Sequence, residues 1–493
     1  MLHHFKKYLR TFFSCHLLLA GMFILNISCK DAKKEDTAVV TSTVPTKKPN
    51  ILILLTDQWR AQATGYAGDP NVKTPNLDRL ASESINFTNA VSGTPVCTPF
   101  RAALLTGQLP LTTGVFMNDV QLNPDALTMA KIFSAHDYDT GYIGKWHLDG
   151  HGRLQNVPPG ERRQGFEFWN GNECTHDYNH SVYYDNDNPD RKIWERYDTF
   201  DQTDAALHYI SDRKAIEDPF LMIVSYGTPH GPYHTAPKEY RDRFDPEKIQ
   251  LRQNVPEKSQ KRAKKELSGY YAHIEAIDDM IGKITQQLKD DGQWDNTIIL
   301  FTSDHGDLLG SHGELKKQQP YDESIRVPML LKLPAAANLK PSTKKVVVNS
   351  EDLLPTLLGL TNIEIPNTIE GTDFSSIIKN NEDLDNAALI RSIQPFGSWN
   401  KNRGGREYRG LRTPRYTYTR DLNGPWLLYD NQKDPYQETN LIGNKEYATI
   451  QSELDTKLTQ RLKTNKDEFL PGTEYIKKWG YTVDKTGTIP YTE

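Results

Sequence analysis

Four short apolar runs, each followed at once by polar or titratable residues, are the feature that most restricts the fold of this chain. The first run, Ile51–Leu55, is continuously apolar and ends at Thr56, Asp57 and Gln58. A continuous apolar run of this length is typical of a central parallel strand that is buried on both faces. The same pattern recurs at residues 140–144, 220–225 and 297–302.

Helical patterns separate these runs, at residues 77–83, 127–134 and most clearly 271–288. In the last of them, apolar residues recur every three or four positions, and Gly292 follows as a stop. Strands that alternate with helices predict an α/β fold with a large, mostly parallel sheet flanked by helices.

Polar side chains follow each predicted strand, and the carboxyl ends of parallel strands share one edge, where ligands bind in open α/β sheets. An aspartate after a strand is more often a simple helix cap, but four strands that deliver such groups to one edge favour a functional site. The residues concerned are Asp57, Gln58, Lys145, His147, His230, Asp304 and His305.

The segment Thr94–Gly107 reads TPVCTPFRAALLTG and predicts a short apolar helix that ends at Gly107. Pro99 suits the first turn, and Cys97 is expected just before the helix N-terminus, where free N–H groups attract anions. Arg101 adds a positive charge able to form a forked contact with a tetrahedral oxyanion. The alternative for a lone cysteine is a buried structural role.

The run C-x-P-x-R, followed by alanine and leucine and then Thr106-Gly107, resembles the signature of the type I sulfatases, which have the alkaline-phosphatase-like fold. The resemblance covers roughly residues 48–445, and its departure within the signature is Phe100, where serine is usual. It implies that a maturation enzyme oxidises Cys97 to formylglycine, whose hydrated aldehyde is the nucleophile.

The same resemblance implies a divalent metal site, which holds the modified Cys97 together with Asp57, Gln58, Asp304 and His305. In the family two acids are usual at the first pair, so Gln58 removes one negative charge. Oxygen-rich ligation favours Ca²⁺, with Mg²⁺ or Mn²⁺ next, and His305 is the ligand that suits Ca²⁺ least.

By the resemblance, Lys145 and Lys317 bind the sulfate group, with Lys316 as the adjacent alternative to Lys317. His230 is expected to protonate the leaving sugar oxygen, and Asp304 to deprotonate the attacking hydroxyl. His147 is expected to take the proton whose loss expels sulfate.

Residues 150–200 read as a long irregular stretch rich in aromatic residues, histidine and aspartate. An ordinary loop would explain it, but long loops often carry function, and this composition suits sugar faces and hydroxyls. The candidate substrate contacts are His151, Arg153, His176 and His180.

The N-terminus carries Lys6, Lys7 and Arg10 before an apolar run at residues 17–27, which resembles a bacterial lipoprotein signal. We expect residues 1–28 to be cleaved, Cys29 to be lipidated, and residues 29–48 to form a tether. Plain secretion is the alternative, and in either case the protein would be exported, to the periplasm or outer membrane. With Cys15 removed and Cys97 modified, only Cys174 is left over, so a disulfide is not expected.

We expect the catalytic domain at residues 49–390 and a C-terminal subdomain at 391–493. Tyrosine, threonine and arginine alternate from Arg412 to Thr419, and an apolar run follows at residues 426–429. This pattern predicts a small antiparallel sheet there, followed by a helix near residues 450–462.

The expected function is hydrolysis of sulfate esters on carbohydrate. The export signal favours algal polysaccharide such as ulvan, and host glycosaminoglycan remains open. One alternative is a phosphatase or phosphodiesterase of the same superfamily; the other is an inactive glycan-binding surface lipoprotein. The net charge of −5 does not indicate a nucleic-acid partner, and it means that an anionic substrate requires a locally basic site.

Overall fold

The computed structural model describes residues 47–492, so the predicted signal peptide, Cys29 and nearly all of the predicted tether lie outside the described residues. Within the described range, none of the helices combines the length and the apolar character needed to cross a membrane.

A ten-stranded mixed sheet forms the centre of the fold, and a separate four-stranded antiparallel sheet, β11–β14, follows it in the chain. The strands are β1 (Asn50–Asp57), β2 (Ile85–Val91), β3 (Asp139–Lys145), β4 (Phe168–Asn172), β5 (Val182–Asp185), β6 (Lys192–Ile193), β7 (Phe220–Pro229), β8 (Thr297–Ser303), β9 (Met329–Lys332), β10 (Ser342–Asn349), β11 (Ala388–Ser392), β12 (Tyr408–Arg412), β13 (Tyr416–Asp421) and β14 (Gly424–Asp430).

Helices cover the sheet and close the C-terminal part. They are α1 (Pro75–Ser82), α2 (Cys97–Thr106), α3 (Pro110–Thr113), α4 (Met129–Ser134), α5 (Asp198–Asp212), α6 (Lys238–Arg241), α7 (Glu257–Asp290), α8 (Asp322–Ile325), α9 (Leu353–Leu360), α10 (Ser375–Lys379), α11 (Ala448–Thr464) and α12 (Gly472–Trp479).

The strand order of the large sheet is β10-β2-β9-β8-β1-β7-β3-β4-β5-β6. The four strands predicted from sequence, β1, β3, β7 and β8, are direct neighbours and pair in parallel. Strand β9 runs antiparallel to both β2 and β8, and β5 runs antiparallel to β4. The predicted α/β class, with its mostly parallel sheet and a small antiparallel C-terminal sheet, is therefore confirmed.

Strand β1 is buried on both faces, as its unbroken apolar run predicts. Ile51, Ile53 and Leu55 pack into one apolar cluster together with residues of α2. Leu52 and Leu54 pack into the cluster on the other face, together with the apolar side of α7. Because successive side chains of a strand point to opposite faces, these two cores sandwich the sheet.

Several helices differ from the sequence prediction. Helix α7 begins at Glu257, well before the predicted start near residue 271, because its first turns are polar and bury only Ala263 and Leu267. The hydrophobic periodicity therefore reported only the part that lies on the core. The helices that were not predicted are α3, α5, α6, α8, α9, α10 and α12.

The stretch 150–200 is more regular than predicted. It contains the short strands β4, β5 and β6 and the start of α5. Strand β4 extends the parallel part of the sheet beside β3, and its sequence, FWNGN, lacks the alternation that marks a strand.

Asp322 joins the main sheet region to the antiparallel sheet. Its carboxylate accepts two hydrogen bonds from Arg412, at 2.8 and 3.0 Å, and one from Arg326 at 3.1 Å. Burial acts to raise the pKa of Asp322, but Arg412 and Arg326 outweigh it and hold the pKa well below its usual value. A carboxylate with a depressed pKa in the folded state stabilises the protein above its unfolded pKa of about 4, and this stabilisation is lost as the pH falls.

We expect Asp322→Asn to lower the free energy of unfolding by about 3 kcal/mol at pH 7, because it leaves the buried guanidinium of Arg412 and the partly buried one of Arg326 without their counter-charge. The difference from wild type should stay constant from pH 8 to 5 and narrow below about pH 4. Denaturant titrations across this range measure it. The control Asp421→Asn breaks the half-exposed pair with Arg406 and should cost less than about 1 kcal/mol; equal losses for the two variants would contradict the prediction.

Candidate active site

The ends of four neighbouring strands deliver charged side chains to one edge of the sheet. Asp57 is the last residue of β1, and Lys145 is the last residue of β3. His230 directly follows β7, and Asp304 and His305 directly follow β8. These groups are far apart in sequence, and the strand order β8-β1-β7-β3 brings them together.

Cys97 completes this group from the start of α2. It is the first residue of the helix and is preceded by Val96 in an extended conformation, so the expectation that Cys97 lies just outside the helix was wrong by one residue. The backbone N–H of Phe100 bonds to the carbonyl of Val96, which begins the helix there. The predicted end at Gly107 is confirmed by its left-handed conformation.

The sulfur of Cys97 is fully buried among charged groups. Its Sγ atom lies 2.7 Å from Lys317 Nζ, 3.3 Å from His305 Nε2 and 3.8 Å from Asp57 Oδ1. Burial and Asp57 act to raise the pKa of the Cys97 thiol, but Lys145, Lys317 and His305 outweigh them and hold it well below its usual range. A group at position 97 that carries negative charge is therefore stabilised here.

Asp57 and Asp304 differ in their preferred charge. Burial acts to raise the pKa of Asp57, but Lys145, His230, Lys317 and His305 hold it well below the ordinary value. Burial and the neighbouring Asp57 raise the pKa of Asp304 to about 7. Two carboxylates this close cannot both be ionised cheaply unless another cation lies between them.

The residues present fit a divalent cation. Ligand atoms of Asp57, Cys97, Asp304 and His305 all lie within 4.8 Å of one another, and all four residues are buried. Gln58 adds a buried amide oxygen, Oε1, that finds no hydrogen-bond partner among residues 47–492. Its amide nitrogen is held by Asp307 at 2.7 Å and by Tyr233 at 2.9 Å. An orphaned oxygen beside crowded carboxylates is the donor set that hard cations prefer.

Gln58 adopts a left-handed backbone conformation, with φ of 70°, directly after β1. Its backbone N–H donates to Asp304 Oδ1 at 3.0 Å. Non-glycine residues rarely adopt this conformation, and such strain is concentrated at functional sites. The bend therefore ties the end of β1 to the Asp304 carboxylate after β8.

Arg101 contacts the carboxylates and the strand ends. Its Nη2 atom lies 3.2 Å from Asp57 and 3.4 Å from Asp304. Its Nη1 atom donates to Ser225 and to the carbonyl of Lys145, both at 2.7 Å. The predicted forked contact with an oxyanion is not what this geometry offers, because the fork is already engaged. Arg101 instead fixes the two carboxylates and balances their charge.

Lys145 reaches Asp57 as well, with its Nζ atom 2.6 Å from Oδ2. Gly144, just before it, brings β3 and β7 into close contact. A Cβ atom at this position would lie 2.1 Å from the carbonyl oxygen of Ser225, and the residue has a φ of 94°. Only glycine fits there, so the sequence GKWH positions the lysine through the backbone.

His147 belongs to a second group of contacts, which it forms with Asp119 and Arg153. Its Nε2 atom lies 3.1 Å from Asp119, and Arg153 grips the same carboxylate through two bonds of 2.9 and 2.8 Å. Burial acts to lower the pKa of His147, but Cys174, Asp119 and Cys97 raise it to about 9. The raised pKa favours the cationic form of His147 at neutral pH.

The rings of His230 and His176 pack against each other at the mouth of the site, with centroids 4.7 Å apart and planes tilted by 31°. The Nδ1 atom of His230 contacts the carbonyl of Gly231 at 2.7 Å. This contact assigns the proton to Nδ1 and leaves Nε2 free. Burial lowers the pKa of both rings, that of His230 well below its usual value and that of His176 to about 3.

The other candidate substrate contacts lie elsewhere. His151 is half exposed and contacts the carbonyl of Asp149 at 2.6 Å. His180 is exposed, with Nδ1 3.4 Å from Asp177. Arg153 has its guanidinium committed to Asp119 and to the ring of Tyr491. Lys316, the alternative to Lys317, is exposed, whereas Lys317 is buried against Cys97.

Sequence reasoning missed several residues that hold the site together: Asp119, Ser225, Tyr233, Asp307 and Tyr491. Asp307 could have been found, since it lies three residues after Asp304 in the same polar segment. Asp119 and Tyr491 carry no local signal, because they meet Arg153 only through the tertiary fold.

The mixed sheet, the start of α2 at Cys97 and the buried group of possible metal ligands are together typical of a hydrolase with the alkaline-phosphatase-like fold. A protein-family model described as Sulfatase matches residues 49–363, and another, described as the C-terminal part of N-sulphoglucosamine sulphohydrolase, matches residues 310–464. The chain therefore belongs to the sulfatase family, and it is an enzyme of the sulfuric ester hydrolase class.

Individual relatives agree with this assignment. The chain is 49% identical to an ulvan-active sulfatase of Formosa agariphila, with 95% of this chain and 91% of that protein covered. It is 30% identical to an endo-4-O-sulfatase of Bacteroides thetaiotaomicron, with 80% and 88% covered. The crystal structure of the sulfatase yidJ of Bacteroides fragilis matches with a TM-score of 0.79 and 30% identity, covering 89% of this chain and 99% of that one.

Residues near 491 contact Arg153 and so support the group formed by His147, Asp119 and Arg153. The guanidinium of Arg153 lies 3.4 Å from the centre of the Tyr491 ring, and the backbone N–H of Arg153 donates to the carbonyl of Thr492 at 2.8 Å. Tyr481 bonds to the carbonyl of Gly114 at 3.0 Å. These contacts anchor the tail beside the loop that holds His147.

We expect Tyr491→Ala to lower kcat roughly tenfold with little change in melting temperature, because Arg153 then holds Asp119 and His147 less firmly. Steady-state kinetics on a sulfated substrate, together with thermal unfolding, measure both quantities. Tyr416→Ala is the matched control, since it removes a similar ring from Arg415 in the C-terminal sheet. An unchanged kcat in the Tyr491 variant would contradict the prediction.

Proposed function

We propose that this protein removes sulfate from a sulfated polysaccharide, with ulvan or its oligosaccharides as the candidate substrate. The observation that carries the proposal is the position of Cys97, at the start of α2 and buried between Lys317, His305 and Asp57. Similarity to the Formosa agariphila protein named an ulvan-active sulfatase supports the choice of substrate. A glycosaminoglycan is the second candidate, favoured by the resemblance to the endo-4-O-sulfatase.

Formylglycine produced from Cys97 by a maturation enzyme is the proposed nucleophile. As a hydrate it supplies one hydroxyl to attack sulfur and a second hydroxyl whose deprotonation releases sulfate. A serine or threonine, which related phosphatases use, lacks this second hydroxyl. Cys97 with Pro99 and Arg101 therefore favours sulfate ester hydrolysis over phosphate ester hydrolysis.

Asp57, Gln58, Asp304, His305 and position 97 are the proposed ligands of a divalent cation, with Ca²⁺ preferred because most donors are oxygens. When bound, the cation withdraws electron density from the sulfate group and lowers the cost of deprotonating the nucleophile. Arg101 and Lys145 orient Asp57 from the opposite side.

Side chains of the protein stabilise the negative charge that develops during sulfate transfer. Lys317, whose ammonium already contacts position 97, and Lys145 stabilise negative charge on the sulfuryl oxygens in the transition state. Asp304 is the proposed acceptor of the proton of the attacking hydroxyl.

His230 is the proposed general acid, because it lines the cleft beside the site and its Nδ1, not its Nε2, is engaged by a backbone carbonyl. Burial lowers the pKa of the free ring, so His230 takes up the proton that it donates only when a bound anionic substrate raises this pKa. His147 is the proposed base for sulfate release. Replacing the Cys97 thiolate with an uncharged aldehyde hydrate removes one of the causes that raise its pKa.

Export and lipid anchoring through Cys29 are further proposals, and they rest on the basic residues, apolar run and cysteine of the N-terminal segment. Globomycin sensitivity of maturation in a Gram-negative host tests them. Accumulation of an unprocessed precursor is the expected result, and normal processing would favour plain secretion.

We expect matured protein to carry an aldehyde instead of a thiol at position 97, detectable by peptide mass spectrometry and by hydrazide labelling. Cys97→Ala should lower sulfate release at least about 10³-fold, because no other group can attack sulfur from this position. Cys174→Ala is the matched control for the modification, since it removes another buried cysteine and should leave aldehyde formation at position 97 unchanged. Unmodified Cys97 in fully active protein would refute the proposal.

Removal of divalent metal by prolonged dialysis against a chelator should abolish activity, and Ca²⁺ should restore it better than Mg²⁺ does. Metal content by mass spectrometry and thermal unfolding with and without Ca²⁺ provide readouts other than activity. Asp304→Asn should lose the thermal stabilisation by Ca²⁺, whereas Asp278→Asn, which caps α1 on another part of the fold, should keep it. Full activity in metal-free protein would contradict this assignment.

A further inference from the structure

A cleft of about 920 Å³ opens directly from the catalytic residues. Gln58, His176 and His230 form its inner end, so a substrate held at Cys97 extends into it. Its outer walls come from three other parts of the chain: the segment 231–246 that includes α6, the first turns of α7, and the loop at residues 315–316.

The cleft is basic, although the chain as a whole carries a net charge of −5. Four cationic side chains line it, against the two acids Glu266 and Asp307. The cations are Arg241, Arg262, Lys265 and Lys316. Locally concentrated positive charge on an acidic protein indicates an anionic ligand.

Both acids of the cleft are already committed. Glu266 accepts a hydrogen bond from Arg262 at 2.8 Å. Asp307 accepts from Gln58, from the hydroxyl of Tyr233 and from the backbone N–H groups of Leu309 and Lys316. Within residues 47–492, Arg241, Lys265 and Lys316 form no ion pair, so their charges face the cleft without a protein partner.

Two backbone features form the outer wall of the cleft. Helix α7 extends in its N-terminal direction past the part that packs on the core, and this polar extension carries Arg262 and Lys265 to the cleft. Gly269 lets the segment at Tyr233 lie against the helix, because a Cβ atom there would meet the carbonyl oxygen of Tyr233 at 2.3 Å. The close contact brings the wall at residues 231–246 against the basic turns of α7.

We propose that this cleft is a subsite for a second anionic group of the substrate, a carboxylate or sulfate on a sugar next to the one that loses its sulfate. This proposal rests on the proposed function and makes it narrower: the preferred substrate is a polyanionic saccharide and not an isolated sulfate ester. Arg241 offers a planar fork for the second anion, and Lys265 and Lys316 add point charges. The reacting sulfate and the second anion then bind at opposite ends of one basic channel.

The double variant Arg241→Gln/Lys265→Gln tests the subsite with matched substrates. The first substrate is a sulfated oligosaccharide with a neighbouring uronic acid, and the second is the same oligosaccharide with that carboxyl reduced to an alcohol. The third replaces the uronic acid with a second sulfated sugar. Steady-state kinetics at low and at raised salt give kcat and KM for each.

We expect wild type to turn over a substrate with a second anion with a kcat/KM roughly tenfold above that of the reduced substrate, mainly through a lower KM. The variant should lose this preference and its salt dependence, while its kcat on the reduced substrate is unchanged. A preference for the uronic acid alone identifies a carboxylate subsite, and one for the second sulfate alone identifies a sulfate subsite. Lys316→Gln is a second variant, on a different wall, with the same expected direction.

Lys258→Gln/Lys261→Gln is the matched control, since it removes two charges from the same helix outside the cleft lining and should keep the preference. Equal rates on all substrates in wild type, or an undiminished preference in both cleft variants, would overturn the subsite. Failure of the proposed function is a separate outcome, in which wild type with matured Cys97 releases no sulfate from any of the three substrates.

Discussion

The contact on which the site depends is the one between Asp57 and its cations. This carboxylate is fully buried, and it is held by Lys145 at 2.6 Å and by Arg101 at 3.2 Å while its other oxygen lies 3.8 Å from Cys97. Burying an unpaired carboxylate costs several kcal/mol, so these partners are needed for the fold as well as for the chemistry. With Asp57 ionised, the neighbouring Asp304 is pushed toward its neutral form, so a further positive charge between the two carboxylates would stabilise them both.

The sheet topology explains how so many charges come to lie in one place. Each of β8, β1, β7 and β3 ends at the same edge, and each contributes a side chain there or in the next two residues. Backbone features then set the angles: the left-handed conformation of Gln58 and the close approach at Gly144. Rigid strands fix the inner groups, whereas the outer groups, His176, Tyr233 and Lys316, lie on loops and short helices, where sequence can vary without disturbing the core.

The sequence was sufficient to predict the α/β fold, the four central strands and the helix that carries Cys97, because those segments are apolar and short-range rules apply to them. It was less informative where structure depends on distant partners. The polar start of α7 has no hydrophobic periodicity, and it is helical because Ala263 and Leu267 pack while its other face meets solvent and the cleft. Asp119 has no motif, and its importance comes from holding both His147 and Arg153. Arg101 was predicted to contact an oxyanion, and its charged partners in the structure are the carboxylates of Asp57 and Asp304.

The inner and outer ends of the site differ in how their charged groups are paired. At the inner end, nearly every charged group has a short, buried partner, so the geometry around position 97 is fixed before substrate arrives and little reorganisation accompanies the reaction. At the outer end, three cations face a wide cleft and are free to meet a ligand. A binding group of that kind acts mainly on affinity, because it touches a part of the substrate whose charge does not change during sulfate transfer. The reaction is therefore determined by the strand ends, and the choice of polysaccharide by the polar extension of α7 and the loops that face it.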